Sequence, residues 1–287
     1  MSAEAVALPR AARRRPGLGA VYRWEIRKLL VQKRTYLGLF AALAVPLIFI
    51  AGLLLGGHDS GPNDIPFGGY VRQSGLAIPL VSMFFGSIWL LPLITSLVSG
   101  DIIATEDHNG TLKTILTRSV ERWQVFVGKT LAALTYTFAA LLIFLIVGLV
   151  VGGLIYGFNP LISLSGTHVS VGRGLVLIGA GGIAYFLPII AIACIGLLLS
   201  TLTHNSAAAV VGTLVLSIML QLLGIISALD FTHPYLLSTQ FNAWQGFLRD
   251  PIDWAPIVRG AWVSAAYAVP AFAVAFTYFV RRDVAGG

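Results

Sequence analysis

Residues 174–229 read GLVLIGAGGIAYFLPIIAIACIGLLLSTLTHNSAAAVVGTLVLSIMLQLLGIISAL and contain no Asp, Glu, Lys or Arg. A helix crosses the hydrocarbon core of a bilayer with about 20 apolar residues, so this run is long enough to cross twice. Its polar break, STLTHNS from Ser200 to Ser206, separates a span near 175–199 from one near 207–229. Four more uncharged runs, 35–58, 73–100, 130–172 and 260–280, place spans near 37–55, 77–98, 131–156 and 260–280. The sequence therefore predicts an all-α membrane protein with six transmembrane helices. Composition agrees: 57% of the 287 residues are hydrophobic and 11% charged, where a soluble domain carries about 45–50% and about 25%.

The 19 basic residues outnumber the 12 acidic ones, for a net charge of +7. Their positions matter more than their sum, because cytoplasmic segments of membrane proteins retain Lys and Arg. With the N-terminus inside, fifteen of them fall in inner segments and four, Arg72, Arg173, Arg249 and Arg259, in outer ones. Both termini are expected in the cytoplasm, with residues 281–287 a short tail. The positive charge then reports topology, and no nucleic-acid partner is implied. The first apolar run is longer than a signal-peptide core and lacks a small-x-small cleavage site. Arg13 to Arg15 are followed by Pro16 and lie some twenty residues before that run, so no cleaved signal is expected.

Residues 1–17 are rich in Ala, Arg and Pro without apolar periodicity and are expected to be disordered. In residues 18–36, LGAVYRWEIRKLLVQKRTY, Tyr22, Ile26, Leu29 and Leu30 share one helical face, and Arg23, Arg27, Lys28 and Arg34 lie mainly on the other. That pattern fits an amphipathic helix in the membrane interface, with Tyr22, Trp24, Glu25, Arg27 and Lys28 as its candidate functional residues. The other reading makes it a simple extension of the first span. In the outer segment 230–258, Leu237, Phe241, Trp244 and Leu248 recur at helical spacing, which predicts an amphipathic or re-entrant helix. It serves either as a lid over the exit of a pathway or as an aromatic belt. The pairs Gly52/Gly56, Gly148/Gly152 and Gly153/Gly157 mark close helix packing. Pro46, Pro79, Pro92, Pro188 and Pro270 mark kinks.

Catalytic chemistry has no evident carriers. The six spans contain no ionisable Asp, Glu, Lys or Arg, which argues against a proton- or sodium-driven carrier and a charged pore. Gly128-Lys129-Thr130 looks like the end of a phosphate-binding loop, but the required earlier Gly is replaced by Trp123 and a span follows. The five His residues show no metal-ligand spacing, and Cys194 is the sole cysteine. No catalytic residue, metal site or cofactor is assigned to this chain.

The informative stretch is the inner loop 100–129, GDIIATEDHNGTLKTILTRSVERWQVFVGK. Asn109 can cap a helix with Leu112, Ile115, Leu116 and Val120 along an apolar edge and Lys113, Thr117 and Arg118 beside it. Asp101, Glu106 and Asp107 precede it, where the helix dipole favours negative charge. Such a helix is a docking element for the membrane surface or a partner protein. Glu106, then Gly110-Thr111-Leu112, Ile115-Leu116, Thr117-Arg118-Ser119-Val120 and Gly128-Lys129 at the next span resemble the inner loop of ABC-2 type transporter permeases. Topology resembles that family over nearly the whole chain; the motif covers only residues 100–130. The chain departs from the family at Ser119, where Pro is frequent, and at Asp107-His108-Asn109, where a more acidic run is common.

The resemblance implies a permease in the bacterial cytoplasmic (plasma) membrane, moved by two copies of a separate cytoplasmic ABC ATPase that hold the ATP and Mg. A second permease subunit, identical or not, would complete the pathway. Coupling maps to Glu106, Asp107, Gly110, Thr111, Leu112, Ile115, Leu116 and Arg118, with Glu106 either an ion-pairing hinge near the interfacial helix or a plain helix-end residue. The uncharged spans point to export of an apolar or amphipathic drug, lipid or peptide. The alternative is an ion-gradient-driven carrier or channel.

Overall fold

The computed structural model describes residues 17–55, 71, 73–111 and 120–282. The described chain is almost entirely helical. Helix α1 (Leu18–Val31) is separated from α2 (Lys33–Leu55) by Gln32 alone, whose extended backbone turns the chain. There follow α3 (Ala77–Gly86), α4 (Leu90–Ser99), the short α5 (Ala104–His108) and the long α6 (Arg122–Tyr156). Then come α7 (Val171–Leu202), α8 (Ser206–Leu223), the short α9 (Leu237–Gln240) and α10 (Trp254–Arg281).

Five of these, α2, α6, α7, α8 and α10, are long and apolar enough to cross a membrane, and the bent run from Ala77 to His108 passes the same test and makes a sixth if it counts as one span. Their outer faces carry exposed Phe40, Ile48, Val176, Ile183, Val211 and Met219. An apolar exterior of this extent is stable only against lipid. Helix α7 forms the centre, with 61% of its apolar window buried against 17% for α8 at the edge. Tyr185 of α7 is fully buried; its hydroxyl donates to the Met83 carbonyl at 3.0 Å and its ring meets Phe241 edge-on.

Several expected boundaries shift. The predicted span 77–98 is two helices, α3 and α4, bent by 60° at residues 87–89. The Ser87 carbonyl freed by the bend accepts a hydrogen bond from Gln221 of α8 at 3.1 Å, as a polar group inside an apolar layer must. The third span starts at Arg122 instead of 131, which brings Lys129 inside the helix. The fifth stops at Leu223, followed by a 3₁₀ turn over Ser227–Tyr235. A two-residue antiparallel pair, β1 (Leu161–Ile162) with β2 (His168–Val169), adds a hairpin between α6 and α7 to the expected all-α fold.

Glycines set two close crossings. A Cβ on Gly148 would lie 3.3 Å from the Pro79 Cα, and one on Gly152 2.9 Å from the Gly75 carbonyl oxygen, so that face of α6 seats the start of α3. A Cβ on Gly100 would lie 2.9 Å from the Val210 backbone, where α4 meets α8. Gly52, by contrast, faces open space, so its expected packing role is absent among the described residues.

Candidate functional site

The buried charged side chains, Glu25, Asp101, Glu106 and Lys129, gather at one end of the bundle, where α1, α5, the start of α6, the α7–α8 turn and the end of α10 meet. Helix α1 turns Val21, Glu25 and Leu29 inward, positions spaced by four on one helical face. This face is rotated from the expected one: Tyr22 and Ile26 are half-buried and Leu30 is exposed. Gly128 lets α1 come close, since a Cβ there would lie 2.7 Å from Val21. One residue on, Lys129 is wholly buried and donates to Glu25 Oε1 at 2.8 Å and to the Ile102 carbonyl at 3.2 Å. Its ammonium also lies 2.7 Å from Glu106 Oε2 on α5. Lys28 of α1 pairs with the other oxygen of Glu106. Two lysines and two glutamates thus tie α1, α5 and α6 together, with Glu25 1% and Glu106 3% exposed.

A second pair lies beside this cluster. Asp101, also buried, pairs with Arg34 of α2 and accepts from the hydroxyls of Thr105 and Ser206. Ser200 of α7 accepts from the backbone N–H groups of Ile103 and Ala104 at 3.2 and 2.9 Å, which fixes the entry to α5. At the outer side, Asp107 takes a two-pronged contact from Arg282 at 2.8 and 3.1 Å and lies 2.5 Å from His204 Nδ1. Arg122 in turn donates to the carbonyls of Val280 and Arg282.

Glu106 and Asp107 follow the second span, on α5. Burial alone raises the Glu106 carboxyl; the ammoniums of Lys129 and Lys28 more than offset it and hold the group below its ordinary value. Asp107 behaves alike: partial burial raises it, and hydrogen bonds from Arg282 and His204 bring it below the usual carboxylate range. Both are anions at neutral pH. Removing one member of such a buried set strands its partner, at a cost of about 3–5 kcal/mol.

Of the other residues singled out on α1, the Tyr22 hydroxyl lies 3.0 Å from Thr135, Trp24 stacks under the Lys28 ammonium at 5.5 Å, and Arg27 is exposed. In the loop, Gly110 has a left-handed φ of +68° and Thr111 donates to the Glu106 carbonyl at 3.2 Å. Asn109 ends α5, and Gly110 follows it with a left-handed φ; the helix expected beyond it lies outside the described residues. Leu112, Ile115, Leu116 and Arg118 lie outside the described residues, as do most of residues 1–17 and of the 281–287 tail.

At the opposite end, Leu237, Phe241, Trp244 and Leu248 do not form one amphipathic helix. Helix α9 stops at Gln240, and a 3₁₀ turn runs over Ala243–Leu248. All four side chains are buried, between α7 and α10, so they are core residues of a compact cap and present no free face. The Gln240 amide, also buried, donates to the carbonyls of Pro234 and Leu236 and closes the turn.

Lys129, Arg34, His204 and Arg282 carry no site role on the sequence alone. One signal was present: Glu25 falls in line with Val21 and Leu29, and an acid on an inward face demands a buried cation. Among the described residues, no three His, Cys, Asp or Glu side chains are grouped to hold a metal ion. Every acid of the cluster is met by a base, so the site is built to join helices.

No curated protein matches the chain. A family model described as "Protein of unknown function (DUF2705)" matches residues 48–285, from within α2 to beyond the end of α10. On that match, which spans most of its length, the chain belongs to the DUF2705 family.

Proposed function

We propose that this chain is the membrane-spanning permease subunit of an ATP-driven exporter of the ABC-2 type. Its charged end faces the cytoplasm, and its loop at residues 100–129 docks a separate ATPase, two copies of which power a pair of permease subunits. The observation that carries the reading is the grip on Glu106. A force applied to the loop at α5 reaches α1 through Lys28 and the 35-residue helix α6 through Lys129. A loop held only by its ends would move without moving the spans. The apolar character of the long helices suits a cargo that is apolar or amphipathic, such as a drug, lipid or peptide.

A second reading, an ion-gradient-driven carrier or channel, draws on the broken crossing at residues 87–89, since discontinuous helices line the sites of such carriers. The two separate in one experiment. Affinity purification from native membranes in mild detergent is expected to recover a stoichiometric Walker-motif ATPase. Transport by the purified chain alone in proteoliposomes, driven by an ion gradient without ATP, would overturn the first reading in favour of the second.

A further inference from the structure

The last crossing helix carries an open groove of about 660 Å³, lined by Ala273, Val274, Thr277, Tyr278, Arg281 and Arg282. Its register accounts for the shape. Residues four apart share a helical face, and Ala273 and Thr277 are the small residues of two successive turns, so the surface beside the Val274 and Tyr278 row is hollow. The opposite positions, Ala271, Ala275 and Phe279, pack inward. Nothing among the described residues covers the groove, and its size falls within the range of small-molecule sites, about 300–1,000 Å³. On a crossing helix, a hollow on this face opens onto acyl chains.

The two arginines that close the groove differ in their partners. Arg282 is committed to Asp107, and its carbonyl to Arg122. Arg281 is exposed and has no hydrogen bond or ion pair among the described residues. Arg281 and Arg282 thus lie side by side at the end of α10, and among the described residues Asp107 is the carboxylate that Arg282 engages. Among the described residues the end of the groove is positive, and Arg281 follows Thr277 by four residues along the lining.

We propose that this groove binds one anionic phospholipid from the leaflet at the charged end of the bundle. An acyl chain lies along Ala273, Val274 and Thr277, and the phosphate sits on Arg281. Apolar lining and a cation unpaired among the described residues together select a lipid over inorganic phosphate, which would gain nothing from the groove wall. Basic sites at the membrane surface beside crossing helices favour anionic headgroups for the same reason. A lipid held there would brace the end of α10 beside the Asp107 contact.

The test uses the full chain in nanodiscs holding equal amounts of phosphatidylglycerol and phosphatidylcholine, followed by native mass spectrometry of the released protein. The parent is expected to retain one phosphatidylglycerol. Arg281→Ala should lower that retention about fivefold, the weight of one basic side chain at an anionic surface, and Arg281→Lys should restore most of it. Ala273→Trp, which fills the hollow and leaves the charge, should lower retention as well. Equal retention of the two lipids by the parent would overturn the proposal, as would unchanged retention in Arg281→Ala. If Ala273→Trp instead splits an oligomer and leaves lipid retention unchanged, the groove belongs to a second copy of the chain and the lipid assignment is wrong.

Discussion

Replacing Lys129 by Met is the sharpest perturbation of the charged cluster. The side chain keeps its length and apolar stem and loses the ammonium that serves two carboxylates. Glu106 retains Lys28, but Glu25 loses its hydrogen bond at 2.8 Å, and its second oxygen already has no partner. With Glu25 1% exposed, water does not reach it, so the expected loss is about 3–5 kcal/mol. Pairing the change with Glu25→Leu removes the stranded charge, and an apolar pair in place of a buried ion pair is often neutral or better. The double variant should therefore recover about 2–3 kcal/mol of the single loss, the upper part of the range measured for residues in contact. Reversible unfolding in mixed micelles, followed by tryptophan fluorescence, reads both values. A Lys129→Met loss within about 0.5 kcal/mol, the range of ordinary surface changes, would refute the reasoning. So would losses of the two single variants that simply add.

Four further outcomes are expected. Stability should hold from neutral pH down to about pH 4 and fall below it: Glu106 and Asp107 have depressed carboxyls, so their contribution is present above the unfolded value and lost as pH drops through the folded one. Asp107→Asn should remove part of that acid loss, as read by denaturation midpoints across the pH range. Gly110→Val should cost about 1–2 kcal/mol for forcing a branched residue to positive φ, and Gly110→Asn much less, in the same unfolding assay. Gly100→Leu must displace the Val210 backbone and should cost about 1–3 kcal/mol through overpacking. Trp244→Ala empties a buried site in the cap and should cost about 3–5 kcal/mol, with the helical circular-dichroism signal retained below the midpoint.

The long apolar helices were readable from the sequence because each is a local property, an uncharged run of sufficient length. What could not be read locally is what depends on a distant partner. The bend at Ser87 is stabilised by Gln221, 134 residues away, and within the run 73–100 nothing but Gly86 and Pro92 marks it. Helix α6 extends to Arg122 because Lys129 finds Glu25, 104 residues earlier, and so is tolerated inside an otherwise apolar helix. The cap was misread for a related reason. Leu237, Phe241, Trp244 and Leu248 keep the spacing of an amphipathic helix, yet each is sequestered separately against α7 and α10, so burial replaced periodicity as the cause of their pattern. At the charged end, Glu106 and Lys28 were both singled out from their own segments, while their meeting was a matter of tertiary structure. Asp107 illustrates the limit most plainly, since Arg282 lies 175 residues away.

ATP-driven movement of the spans requires that the loop beyond α5 engage an ATPase, and site-specific photo-crosslinking in native membranes tests that directly. Thr111 is exposed beside the Glu106 grip, and Thr167 is exposed in the hairpin at the other end of the bundle. A photoreactive residue at position 111 is predicted to capture a Walker-motif ATPase, and the same residue at position 167 to capture none. Failure of position 111 to capture such a protein, or equal capture from both positions, would contradict the claim.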